Sequence, residues 1–110
     1  MSAYSLLIKR LPCLACEVEG NPQPSATEAH HQNAGGHAGQ KRLGDAFQVP
    51  LCGWHHRAER PYGMSTDAMT HLYGPSLALD SRQFRFAYGD DPAQLAATNF
   101  KVAQLDPEVA

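Results

Sequence analysis

The chain has no apolar run approaching the ~20 residues of a membrane span, so no membrane-spanning element is expected. Met1 to Ile8 carries neither a basic start nor a long apolar stretch, so no secretory signal is expected and the expected location is cytoplasmic. A basic excess is also missing. Nine Lys and Arg against eleven Asp and Glu give a net charge of -2, which counts against a protein that holds nucleic acid by charge alone. An enzyme that meets a few phosphates through a metal tolerates that balance, as does one whose partner delivers the DNA. Three cysteines are too few for a disulfide scaffold, and an odd number cannot fully pair. There is no internal repeat and no low-complexity tract. At 110 residues the chain supports one domain with a modest core.

Eight prolines and nine glycines imply short elements joined by many turns. Residues 4–12 form an apolar helix or strand ended by Pro12, and Cys13 to Cys16 a tight turn. Residues 17–27 are polar and turn-rich and read as a loop. Glu28 to Asn33 is a short strand and Phe47 to Leu51 its partner, separated by a Gly-rich loop that includes His37. Pro50 cannot donate to a ladder, so the second strand lies at an edge or ends there. A helix is expected from Gly53 to about Arg60, stopped by Pro61, and another from Thr66 to Tyr73 capped by Ser65 or Thr66. Ser76 to Tyr88 reads as a third helix. The last starts at Asp91-Pro92, with Asp91 as its N-cap, and runs to about Leu105. The expected fold is α+β: one domain over 1–110, with a metal-stapled core over about 10–61 and a helical half over about 65–105.

What the chain does have is soft metal ligands at telling spacings. Cys13 and Cys16 stand three positions apart, a separation that lets two thiolates share one tetrahedral ion. Cys52 and His55 repeat it. Two such pairs, separated by a segment long enough for a hairpin, describe a closed structural Zn²⁺ site. In so small a chain that cross-link supplies stability a small core lacks.

The remaining histidines suit different chemistry. His30 and His31 lie on the strand before the Gly-rich loop, and His56 opens the helix after Cys52. A hairpin packed on a helix brings a strand histidine and a helix histidine onto one ion. Two protein ligands leave positions open for water and phosphate oxygen, the way a hard Mg²⁺ or Mn²⁺ is kept. A further strand histidine suits general-base work, because its ordinary pKa lies near ~6.5. Adjacent strand residues point to opposite faces, so His30 and His31 share a site only where the strand end bends. Lys41, Arg42 and Arg57 are candidates for neutralising phosphates. Trp54 reads as a core plug.

Three segments together resemble the HNH (His-Me finger, ββα-metal) nuclease superfamily. They are Leu11-Pro12-Cys13-Leu14-Ala15-Cys16, then Glu28-Ala29-His30-His31, then Asp45-Ala46-Phe47-Gln48-Val49-Pro50-Leu51-Cys52-Gly53-Trp54-His55-His56-Arg57. More narrowly they are similar to the Ref-type recombination-enhancement nucleases and related phage HNH proteins, as are Tyr73-Gly74-Pro75-Ser76 and Phe84-Arg85-Phe86-Ala87-Tyr88-Gly89 further on. The resemblance implies hydrolysis of DNA phosphodiesters, with RecA as partner. It implies His31 as general base, His30 and His56 as ligands of the catalytic cation, and Cys13, Cys16, Cys52 and His55 as zinc ligands. Two positions depart from the family pattern. The asparagine that orients the base is missing: Phe47 sits near its place, and Asp45 or a backbone carbonyl is the candidate substitute. Arg60 stands where many relatives carry a second helix histidine.

The expected function is therefore metal-dependent DNA cleavage. The alternative is a zinc-stabilised DNA- or protein-binding module with weak or absent catalysis. A thiol redox protein is disfavoured, since no thioredoxin-like βαβ pattern surrounds Cys13 and Cys16.

Overall fold

The computed structural model describes residues 3–33 and 44–107. In chain order these give α1 (Ala3–Lys9), α2 (Leu14–Glu19), β1 (Thr27–His31), β2 (Gln48–Cys52), α3 (Gly53–Arg57), α4 (Thr66–Tyr73), α5 (Ser81–Tyr88) and α6 (Asp91–Leu105). Single 3₁₀ turns at Asp45–Phe47 and Pro61–Gly63 complete the described elements. None of the described helices is long and apolar enough to cross a membrane.

The two strands pair antiparallel, with His31 opposite Gln48, His30 opposite Val49 and Glu28 opposite Leu51. Side chains alternate faces along a strand, and the register therefore sorts them into two layers. Ala29 packs with Tyr4, Leu7, Ile8 and Leu11 from the α1 side and Val102 of α6. Val49 and Leu51 join a second core with Cys13, Cys16, Cys52, Trp54, Met69, Phe84 and Tyr88. Every residue of β2 is buried, which suits a central wall between two cores. Pro50 is accommodated because this sheet has only two strands.

Several local expectations are corrected. The Cys13 to Cys16 stretch is not a free turn but the start of a helix. The Cys13 thiol occupies the N-cap and accepts from the Cys16 amide at 3.5 Å. Gly20 then ends α2 in the left-handed region (φ 74°), its N–H returned to the carbonyls of the last turn. The α3 helix stops at Arg57, three residues before the expected end, with Ala58 left-handed at φ 60°. The third expected helix begins at Ser81 rather than Ser76. The Ser76 hydroxyl donates to the Trp54 carbonyl at 2.6 Å and the Leu77 amide to the His55 carbonyl at 2.9 Å, so this stretch is strapped to α3 instead. Asp80 caps α5, and Asp90 rather than Asp91 caps α6, accepting from the Ala93 amide at 2.9 Å. Asp91 is thereby released for another role.

Candidate metal centre and candidate active site

Cys52 ends β2 and immediately precedes α3, which carries His55 and His56 in succession. Consecutive helical residues point about 100° apart, so one ring can enter the core while its neighbour faces outward. His55 is fully buried and His56 is partly exposed.

Around His55 the soft ligands converge. Its Nδ1 lies 3.5 Å from Cys13 Sγ, 3.5 Å from Cys16 Sγ and 3.3 Å from Cys52 Sγ. Cys16 and Cys52 sulfurs are 3.8 Å apart, and all four ligand atoms lie within 4.8 Å of one another. A tetrahedral zinc with Zn–S near ~2.3 Å spaces its sulfurs about 3.8 Å apart, so donor set and geometry fit zinc. The orientation of His55 is set from behind: Nε2 donates to the Tyr73 carbonyl at 2.8 Å, which leaves the Nδ1 lone pair facing the sulfurs. The Tyr88 ring stacks edge-on against the imidazole, centroids 5.6 Å apart.

Without a cation this cluster is electrostatically frustrated. Hydrogen bonds from Cys16 and Cys52 pull the Cys13 thiol far down. The same closeness to Cys13 and Cys52 drives Cys16 far up. Burial lowers His55, but its bonds to Cys13 and Cys52 outweigh that and raise it to about 9. The Cys13 thiolate thus forms at the expense of Cys16, with a proton on His55 as partial compensation. A divalent ion held by Cys13, Cys16, Cys52 and His55 would take that proton's place and supply the charge thiolate ligands need.

On the outward side, the ring centroids of His30 and His56 approach to 4.9 Å, edge to face. They line a cavity of about 330 Å³ together with Asn33, Arg85, Asp91, Ser81 and an apolar wall that includes Leu77 and Leu79. His56 Nδ1 donates to Glu28 Oε1 at 2.8 Å, which leaves its Nε2 as the available lone pair. Arg57 also grips Glu28, at 2.9 Å, and foremost through that contact the carboxyl is held below its ordinary range. Burial, then the neighbouring His56, lowers His30 to about 4. A neutral imidazole is the form that ligates a cation. Among the described residues, the only group of three or more metal-ligating side chains around one point is the Cys13, Cys16, Cys52, His55 cluster. The outer pocket therefore offers two protein ligands, compatible with a hard cation that keeps its waters.

His31 is not brought to this pocket. The strand is regular through residue 31, so alternation places its ring on the other face. There its Nε2 lies 3.2 Å from Gln48 Nε2, and Gln48, fully buried, is tied to Ser5 at 2.7 Å. Two of the three expected imidazoles share a cavity and the third does not. Arg57 is committed to Glu28 and Glu59, at 2.9 and 2.7 Å. Arg60 lies past the end of α3 and donates to the Met64 carbonyl at 3.4 Å, so it takes no ligand position. Lys41, Arg42, His37 and the Asp45 side chain fall outside the described residues.

Four residues here escaped the sequence reading. Glu28 stands two positions before His30, and strand alternation alone places both on one face. Gln48 follows from the hairpin register. Arg85, in a family-like stretch, and Asp91, read as a helix cap, carry no sequence signal of a place in the cavity, since only the folding back of α5 and α6 brings them there.

A hairpin leading into a helix, with a Cys₃His clasp beside it, defines a small α+β protein built to hold a metal ion. The family model for recombination enhancement, RecA-dependent nuclease, matches residues 3–103, and the chain belongs to that family. Comparison with curated proteins gives no match.

Two outcomes follow. Purified protein should carry one zinc per chain by plasma mass spectrometry, and Cys16→Ser should lose it. The accompanying loss of roughly 3 kcal/mol or more lowers the melting point by at least about 10 °C. Retention of both metal and melting point would refute the clasp. His30 should titrate near 4 when its ring protons are followed by NMR. Its folded pKa lies below the unfolded value near ~6.5. The unfolded chain therefore binds more protons between those limits, and this group's contribution to stability, complete above about 6.5, is lost as pH falls through 4. A midpoint near the ordinary value would contradict the buried, paired setting.

Proposed function

We propose that the chain is an HNH-type endonuclease that hydrolyses DNA phosphodiester bonds with Mg²⁺ or Mn²⁺, in recombination or phage DNA metabolism alongside RecA. The observation that carries this is the His30–His56 pair over one cavity, with Glu28 fixing the His56 tautomer. His30 and His56 would hold the cation. When bound, it supplies charge stabilisation for a phosphate oxygen and for the departing 3′ oxygen. The chain's own contribution is to keep His30 neutral, through burial, and to aim His56, through the Glu28 carboxylate on its Nδ1.

We assign the proton-accepting role to His31, with Gln48 taking over the orienting task of the missing asparagine. The Gln48 amide, 3.2 Å from the His31 Nε2, is the contact that supports this orienting role. Zinc acts as a staple in this scheme, distant from the bond that breaks.

A zinc-stabilised DNA- or protein-binding module without catalysis is favoured by one observation, the placement of His31 outside the cavity. Nicking of supercoiled plasmid and of RecA-coated DNA separates the two. The parent should nick with Mg²⁺ or Mn²⁺ and stop when the cation is withheld. His31→Ala and His56→Ala should each lose roughly 10²–10⁴-fold in rate while keeping zinc and fold. Parent-like nicking by His31→Ala would remove it as the base. A parent inactive on both substrates would leave the binding module.

A further inference from the structure

We propose that Arg85, aimed by Asp91, is the phosphate-gripping residue of the His30–His56 cavity, its ligand a phosphodiester of the DNA backbone. This rests on the endonuclease function proposed above. Arg85 belongs to α5, in the helical half of the chain. Yet it lines the cavity with His30 and His56, and among the described residues it is the cavity's sole Lys or Arg. Its Nε donates to Asp91 Oδ1 at 3.0 Å, and both side chains are about three-quarters buried, at 27 and 24% exposure. A sheltered partner fixes the plane of the guanidinium, the geometry by which arginine meets two oxygens of one anion.

Competing roles are answered on the same page. Arg57, the other described candidate for a phosphate contact, is engaged by two carboxylates and is not part of the cavity wall. Asp91 does not form a three-ligand group with His30 and His56, so its carboxylate serves Arg85 rather than the ion. The cavity volume of about 330 Å³ is at the small end for ligand sites. It suits one phosphate with its sugar against Leu77 and Leu79, not a whole duplex. Arg85 thus binds a non-bridging oxygen and orients the phosphorus. Asp91 is a positioning residue that acts through Arg85.

The test uses the full chain with its zinc. Fluorescence anisotropy of a labelled DNA duplex and of its single strand is read across a salt series without Mg²⁺ or Mn²⁺, beside nicking kinetics with them. Arg85→Ala should lower the slope of log affinity against log salt by about one and reduce kcat/KM roughly 10²-fold. Zinc content should stay as in the parent. Arg85→Lys should restore the slope but only part of the rate, because an ammonium lacks the planar fork. Asp91→Asn should keep the slope and lower kcat. Should Arg85→Ala fail to fold, Arg85→Gln is read by the same criteria. If the parent binds and cleaves while Arg85→Ala matches it in slope and rate, the proposal is overturned. If the parent neither binds nor cleaves DNA, the endonuclease function falls first and the phosphate grip with it, an outcome visible in the parent alone.

Discussion

The meeting of three thiols and one imidazole in the core is the constraint on which the rest of this fold depends. It joins the start of α2, the end of β2 and the middle of α3, segments separated by up to 42 positions in sequence. No ordinary packing in so small a core does that as firmly. Because His55 is drawn inward by the sulfurs and braced by the Tyr73 carbonyl, its neighbour His56 has no choice of direction. The clasp thereby sets the outer pocket without touching it. The later helices contribute too: the end of α4 supplies that carbonyl, while Phe84 and Tyr88 of α5 stack near the ring.

Charge is used sparingly in this acidic chain. Glu28 faces His56 and Arg57 together, so one carboxylate orients an imidazole and neutralises a guanidinium. Arg85 and Asp91 form a second pairing in the lining of the cavity. A net charge of -2 leaves no broad basic excess for holding nucleic acid by charge alone. The family is described as one of RecA-dependent nucleases.

Much of this was legible before any coordinates. Ligand spacing picked out Cys13, Cys16, Cys52 and His55, because tetrahedral thiolate chemistry restricts which gaps work. The hairpin showed in its apolar run and Gly-rich connection, and Ser65 was readable as a cap. What could not be read has physical causes. A thiol is not among the usual N-caps, so the α2 start passed for a turn. Asp90 and Asp91 are chemically equal candidates, and only geometry tells which one caps α6. Strapping by Ser76 overrides the helical tendency of residues 76–80. Strand alternation warned that His30 and His31 would part, and they do. Arg85 was hidden because its partners lie six and more residues away across a turn.

The central claim is that a tetrahedral metal cross-link organises the chain. X-ray absorption at the zinc edge on the purified protein addresses it most directly. The account predicts a first shell of three sulfurs at about 2.3 Å and one nitrogen at about 2.0–2.1 Å. A well-folded protein with no zinc, or a shell of only nitrogen and oxygen, would contradict it.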